Sequence, residues 1–145
     1  MILPDLNLII YAHNIGAPDH AASRSWWEDQ LNGTEPVVIP WVVVLGFVRL
    51  MTHRSVLVTP MLPAVAVTHV RSWFAQPNVE HIEPGAHHLD VLERLLTAVG
   101  TAGNLTTDAH LAALAIEHGL TLCSTDGDFA KFEGLKWENP LAPPR

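Results

Sequence analysis

Short apolar runs alternate with longer amphipathic stretches along the 145-residue chain. Brief apolar runs predict buried strands, and apolar positions that recur every three or four residues predict helices. We expect strands at residues 2–4, 37–39, 78–82, 120–123 and 135–137. We expect helices at residues 6–13, 18–31, 41–53, 63–74, 86–99 and 108–118, and a short one that runs from Asp126 or Gly127 to Lys131. Because strands and helices alternate, the pattern predicts an α/β fold with a mainly parallel sheet of four to five strands.

Large aromatic side chains recur within the predicted helices and at their ends. We expect them to fill the core between the helices and the sheet, although some of them would suit a groove for a partner or a second copy. These residues are Trp26, Trp27, Trp41, Trp73 and Phe74. At the late helix, Thr107 is the predicted N-terminal cap and Gly119 the predicted end.

The length suits one domain over residues 1–145, and no linker or repeat divides it. Hydrophobic residues make up 48% and charged residues 16%, so some apolar surface is expected to meet a partner. The net charge of −7 argues against broad electrostatic capture of nucleic acid.

A single cysteine, Cys123, excludes an internal disulfide and is expected to be a buried thiol. Because no basic leader or membrane-length apolar segment occurs, we expect a cytoplasmic protein without membrane contact.

Acidic residues stand where predicted strands give way to helices. Asp5 follows the first strand, Asp108 begins a late helix, and Asp126 and Asp128 occupy the turn after the fourth strand. The carboxyl ends of parallel strands meet at one edge of a sheet, so these side chains should converge. Two carboxylates about 4 Å apart repel by roughly 4 kcal/mol at an effective dielectric constant of about 20, which calls for a cation. Oxygen ligands favour Mg²⁺ or Mn²⁺ and predict metal-dependent chemistry on phosphate.

Several of these polar residues also have ordinary structural explanations. Asp108 suits the first turn of any helix, and Asp126 and Asp128 suit a turn. Asp5 differs, because it has little reason to cap a helix that starts after it. Asn7 would either hold a metal-bound water or bond to backbone, and Thr125 would either cap a helix or contact a phosphate.

Three motifs occur in order: D-x-N near the N-terminus, then T-D-A-H-L-A-A-L-A, then L-C-S-T-D-G-D-F. With the closing F-x-G-L-K-W-E-N-P segment, they resemble the PIN-domain ribonucleases, specifically toxins of the VapC type. The resemblance implies a three-layer α/β/α fold, a Mg²⁺- or Mn²⁺-dependent endoribonuclease and inhibition by a VapB-type antitoxin. By position, Asp5, Asp108 and Asp126 match the metal-binding acids of that family, and Asp128 is a further acid of the same turn.

The chain departs from that family at one position. Many PIN toxins carry a glutamate on the helix after the second strand, where this chain reads V-L-G-F-V-R and offers Leu45 or Gly46. No acidic residue occurs between Glu35 and Glu80. The number of metal ions and the general base are therefore open, and Asp128 or a substrate phosphate would complete the site.

The predicted reaction is metal-dependent hydrolysis of an RNA phosphodiester. Arg49, His53 and Arg54 are candidates for steering the RNA backbone, although cations at a helix end also complement the helix dipole. Zinc is disfavoured despite nine histidines, because neither the His87–His88 pair nor His13 with His20 has helical i, i+4 spacing. The main alternative is a PIN-like module that binds RNA or a protein without turnover, and the missing glutamate is its best argument.

Overall fold

The computed structural model describes residues 1–143. Its strands are β1 (Ile2–Pro4), β2 (Val37–Val38), β3 (Val79–Glu80), β4 (Thr121–Cys123) and β5 (Lys136–Glu138). Its helices are α1 (Leu6–His13), α2 (His20–Asn32), α3 (Trp41–Met51), α4 (Pro63–Phe74), α5 (His88–Val99) and α6 (Thr106–His118). Short 3₁₀ turns cover Gly103–Leu105 and Gly127–Lys131. None of the helices in residues 1–143 has the length and apolarity needed to cross a membrane.

The five strands form one entirely parallel sheet in the order β3-β2-β1-β4-β5. Ile2 lies opposite Val37 on one side and Thr121 on the other, so β1 is the central strand. Pro4 ends β1, where its missing N–H costs the ladder least. The predicted α/β class and the parallel sheet are confirmed.

The strand order reverses at β1. The chain adds β2 and then β3 on one side of β1, and it adds β4 and then β5 on the other. Since crossovers between parallel strands are right-handed, α1 to α4 cover one face of the sheet and α5 and α6 the other. The three layers follow from this arrangement. Open α/β sheets bind ligands at the carboxyl ends of the strands where the order reverses, which here lies between β1 and β4.

Two helix ends differ from the sequence prediction. Helix α3 ends at Met51, where the Thr52 hydroxyl donates to the Val48 carbonyl oxygen at 2.8 Å, so His53 and Arg54 lie in the turn beyond it. Helix α6 begins at Thr106 and no side chain caps it, which makes the predicted Thr107 cap wrong. Its other end is as predicted: Gly119 adopts a φ of +65°, a left-handed conformation that a residue without Cβ accepts readily.

The aromatic residues divide between the core and the surface. Trp27 and Trp73 are buried and meet edge to face, with ring centroids 5.6 Å apart. Trp26 and Phe74 are partly buried. Trp41 is 54% exposed and lines a groove between α3 and α4, so the core prediction is wrong for it and the groove alternative describes it. Trp41 is the first residue of α3, and helical side chains tilt toward the N-terminus. Its indole meets the His81 ring, with ring centroids 5.6 Å apart, instead of packing in the core.

Candidate active site

Asp5 lies at the carboxyl end of the central strand and is only 5% exposed. Its backbone N–H donates to the Cys123 carbonyl oxygen at 2.8 Å, which extends the pairing of β1 with β4. Its Oδ2 accepts a hydrogen bond from the Ser124 hydroxyl at 2.8 Å, and the carboxylate makes no capping bond to α1. The local fold thus aims a buried carboxylate at the point where the strand order reverses.

Ser124 connects two of the predicted acids and is a residue that our sequence reasoning missed. It is fully buried directly after β4, and its Oγ donates to Asp5 while accepting from the Asp126 N–H at 3.0 Å. One hydroxyl therefore fixes the Asp5 carboxylate relative to the turn that carries Asp126. The available signal was a small hydroxyl residue immediately after an apolar strand in the S-T-D motif.

The turn after Ser124 carries both remaining acids of the third motif. The Asp126 Oδ1 accepts from the Asp128 N–H at 2.9 Å and caps the 3₁₀ turn Gly127–Lys131. Asp126 thus supplies the capping that the sequence suggested for Thr125. Asp128 is exposed, and its Oδ1 lies 3.1 Å from the Lys131 ammonium nitrogen. Asp128 is the acid of this site that already has a cation beside it.

The electrostatics show that the acids from three motifs share one region. Burial raises the pKa of Asp5 from 3.8 to about 6; the Ser124 hydrogen bond opposes this rise, and the charges of Asp108 and Asp126 add to it. Asp108, in the first turn of α6, is partly buried, and its pKa is raised by that burial and then by the charges of Asp126 and Asp128. Asp5, Asp108 and Asp126 are far apart in the sequence, and the structure brings them into one region.

The donor chemistry of this cluster fits a hard divalent cation. Among residues 1–143, no three His, Cys, Asp or Glu side chains are spaced as a ready metal-ligand set, so the predicted three-carboxylate set is not preformed. Mg²⁺ commonly takes one or two carboxylates and keeps water or substrate phosphate oxygens as its other ligands. Asp5 and its neighbours offer such oxygens, and their mutual repulsion favours a bound cation.

Comparison with known proteins identifies the family. The family model for the PIN domain matches residues 2–135. This chain belongs to the PIN-domain family. Ribonuclease VapC33 of Mycobacterium tuberculosis is 43% identical over 141 residues, which cover 97% of this chain and 99% of that protein. Ribonuclease VapC37 of the same organism is 42% identical over 142 residues, which cover 98% and 99%. This PIN domain is thus of the VapC type.

Solved structures agree on the fold at much lower identity. VapC20 of Mycobacterium tuberculosis, a sarcin-ricin loop cleaving toxin, superposes with a TM-score of 0.68 at 19% identity and covers 94% of this chain and 99% of its own. VapBC2 from Rickettsia felis, solved with a promoter DNA fragment, gives a TM-score of 0.67 at 18% identity and covers 96% and 98%. The three-layer PIN fold is therefore shared over nearly the whole chain.

Four other predicted site residues lie on α1, on α3 or in the turn after α3. Asn7 is exposed in the first turn of α1, and Arg49 lines a groove between α3 and α4. His53 turns back so that its Nδ1 accepts from the Ser55 N–H at 3.1 Å, and Arg54 is exposed in the same turn. Within residues 1–143, no hydrogen bond or ion pair joins these four residues to the carboxylates of Asp5, Asp108, Asp126 and Asp128.

Gly46 is, with Leu45, one of the two positions where the resemblance to PIN toxins leads one to expect an acid. A Cβ placed on Gly46 would lie 2.5 Å from the Leu6 Cδ2 atom, so the leucine fills the space that a side chain at this position would need. Leu6 immediately follows Asp5 in the chain. Leu6 on α1 thus packs directly against the backbone of Gly46 on α3.

Proposed function

We propose that this PIN domain is a Mg²⁺- or Mn²⁺-dependent endoribonuclease that hydrolyses RNA phosphodiester bonds as the toxin of a toxin–antitoxin pair. The observation that carries the proposal is the Asp5–Ser124–Asp126 connection at the reversal of the strand order, with Asp108 close enough to raise the pKa of Asp5. The VapC ribonucleases, 42–43% identical along nearly their full length, support the reaction class.

The residues of the site divide the work in this proposal. Asp5, Asp108 and Asp126 would hold the cation, which supplies activation of water and neutralisation of charge on the phosphate. Ser124 positions the Asp5 carboxylate by donating to its Oδ2 at 2.8 Å. Asp128 adds negative charge at the edge of the cluster, where Lys131 partly offsets it at 3.1 Å. In this proposal the protein's side chains mainly position the cation and set the charge around it.

Substrate steering falls to a few cations, because the chain has only 8 Lys and Arg residues against 15 Asp and Glu residues. Arg49, His53 and Arg54 lie at and beyond the end of α3, where they are proposed to meet the RNA backbone. Non-specific phosphate contacts of this number give weak, salt-sensitive attraction. Recognition of RNA must therefore depend on the metal site and on local contacts rather than on overall charge.

The partner of the proposed toxin is a VapB-type antitoxin, and the place of action is the cytoplasm. The structures that share this fold include VapBC assemblies from Rickettsia felis and Salmonella typhimurium. A homodimer is a further proposed assembly. Adding a VapB-type antitoxin should abolish RNA cleavage by this chain, and size-exclusion chromatography with light scattering measures both assemblies.

Site variants test the reaction directly. Asp5→Asn and Asp108→Asn should each reduce Mg²⁺-dependent cleavage of total RNA at least 100-fold and leave the circular dichroism spectrum unchanged. Asp29→Asn is the matched control, since Asp29 is an exposed acid on α2. EDTA should reproduce the loss in the native chain. Undiminished cleavage by either site variant would overturn the assignment.

A PIN-like module that binds without turnover is the second candidate function. The lack of any acid between Glu35 and Glu80 favours it, because the resemblance implies a glutamate on α3 that this chain does not have. The two functions separate in one experiment: a native chain that retains RNA in a filter-binding assay but cleaves none with Mg²⁺ or Mn²⁺ is a binding module.

A further inference from the structure

A groove of about 970 Å³ runs between α3 and α4, apart from the acidic cluster. Aliphatic side chains form most of its wall, and Arg49 and Arg71 also line it. One part of the wall differs in character, because Trp41 and His81 meet there with ring centroids 5.6 Å apart and planes inclined by 67°. We name this part the Trp41–His81 corner.

The corner lies at the same edge of the sheet as the acids. Trp41 follows β2 and His81 follows β3, just as Asp5 follows β1 and Asp126 follows β4. Strand β2 pairs with β1, and β3 pairs with β2. Since neighbouring strands are about 4.8 Å apart, the two rings arise one and two strands away from Asp5. An RNA chain that leaves the acids along this edge in the direction of β3 therefore reaches the corner.

The rings are held in place while one of them stays open to solvent. The Nε2–H of His81 donates to the Glu83 Oε1 at 2.6 Å, and its Nδ1 lies 3.3 Å from the Ile39 carbonyl oxygen. The fixed imidazole supports the indole edge to face, yet Trp41 remains 54% exposed. A large aromatic surface that is left in water and fixed by a neighbour is suited to receive another flat ring.

We propose that the Trp41–His81 corner is a stacking platform for one nucleobase of a single-stranded RNA substrate, an inference that rests on the proposed function. Stacking on aromatic side chains contributes affinity without reading sequence, because every base has a π face. Such a contact gives a protein of net charge −7 a hold on RNA that phosphate contacts alone do not supply. Arg49 follows Trp41 by eight residues on α3, about 12 Å along the axis, and serves a neighbouring phosphate.

Binding of a fluorescent single-stranded oligoribonucleotide tests the platform without cleavage. In an Asp108→Asn background with Mg²⁺, Trp41→Ala should weaken the Kd about 5- to 100-fold, equivalent to about 1–3 kcal/mol at 1.36 kcal/mol per tenfold. Trp41→Phe should retain most of the affinity. The matched control is Leu45→Ala, since Leu45 is 63% exposed one helical turn further along the same groove, and it should change the Kd less than twofold.

Abasic substitution identifies the stacked base. An oligoribonucleotide that lacks the stacked base should bind the Asp108→Asn protein more weakly than the intact oligoribonucleotide does. The same missing base should not weaken binding further when Trp41→Ala is added to Asp108→Asn. Equal losses from Trp41→Ala and Leu45→Ala, or abasic effects that persist in Trp41→Ala, would overturn the platform. It is also overturned if Trp41→Ala binds RNA normally but no longer binds a VapB-type antitoxin. Trp41-dependent binding by a chain that never cleaves RNA contradicts the nuclease and leaves the platform standing.

Discussion

Replacing Ser124 by alanine removes a hydroxyl group that is hydrogen-bonded to both Asp5 and Asp126. The Ser124 Oγ donates to Asp5 Oδ2 at 2.8 Å and accepts from the Asp126 N–H at 3.0 Å, in a fully buried position. After the substitution, the buried Asp5 carboxylate loses its side-chain donor and the Asp126 backbone N–H loses its acceptor. The first loss depends on the charge of Asp5, and the second does not.

The pH dependence of the free energy of unfolding follows from the raised pKa of Asp5. The pKa of Asp5 is about 6 in the folded protein and 3.8 for an ordinary aspartate, so ionisation of Asp5 destabilises the fold. The free energy of unfolding therefore falls as the pH rises from about 4, and the loss is complete above pH 6. The shift corresponds to about 3 kcal/mol at 1.36 kcal/mol per unit. A hydrogen bond to a charged group contributes about 1.5–3 kcal/mol, so Ser124→Ala should raise the pKa of Asp5 further. The variant should therefore lose about 1–2 kcal/mol more at pH 7.5 than at pH 5.

Urea unfolding of the metal-free protein at pH 5 and pH 7.5 measures this difference. Ser23→Ala provides a matched control, because Ser23 is also fully buried but its Oγ has no hydrogen-bond partner within residues 1–143. The control should be close to neutral at both pH values. If Ser124→Ala loses the same stability at pH 5 and pH 7.5, the hydroxyl does not act on the charge of Asp5, and our account of the site is refuted.

Two further predictions concern groups outside the acidic cluster. Glu117→Ala should lower the free energy of unfolding by about 2–3 kcal/mol, because the nearly buried Glu117 carboxylate accepts hydrogen bonds from the His88 ring and the Gly85 N–H, both at 2.7 Å. Urea unfolding measures the change, and a loss below about 0.5 kcal/mol would contradict this role. Burial raises the pKa of Cys123 to about 12, so Ellman's reagent at pH 8 should label it only in denaturant, and rapid labelling of the folded protein would contradict this burial.

Local sequence patterns predict most of the helices and strands but not the order of the strands in the sheet. Apolar spacing located the helices, and Gly119 marked the end of α6 because a left-handed residue is needed there. The order β3-β2-β1-β4-β5 was not predictable in this way, since an apolar run records burial and not which strand lies beside it. The short β2 and β3 offer two residues each, too few for a side-chain pattern to define a register.

The candidate site shows the same division. Asp5 stood out in the sequence because it had no capping role, and in the structure its carboxylate accepts from Ser124. The role of Ser124 is not predictable from the sequence, since a serine beside a turn has many common structural uses. The core prediction fails for Trp41 because periodicity gives the face of a helix but does not show whether a neighbouring element covers a residue of its first turn. Such details depend on tertiary neighbours, which only coordinates supply.

Gly46 and Leu6 provide a test of how far this PIN domain has departed from an acid-rich site. Gly46→Glu alone should cost about 1–3 kcal/mol of unfolding free energy, because its Cβ would lie 2.5 Å from the Leu6 Cδ2 in a packed region. Leu6→Ala opens that space, so the double variant should be more stable than the sum of the single effects, with a coupling of at least about 1 kcal/mol.

The same pair should change metal binding in a defined direction. With Leu6 truncated, a glutamate at position 46 stands beside the residue that follows Asp5 and adds an oxygen ligand to a carboxylate cluster. Isothermal titration should then show tighter Mg²⁺ binding for the double variant than for Leu6→Ala alone. A strictly additive cycle with unchanged Mg²⁺ affinity would mean that position 46 does not face the acids. In that case the leucine fills an ordinary contact between α1 and α3, and the missing glutamate leaves the metal chemistry of Asp5, Asp108 and Asp126 untouched.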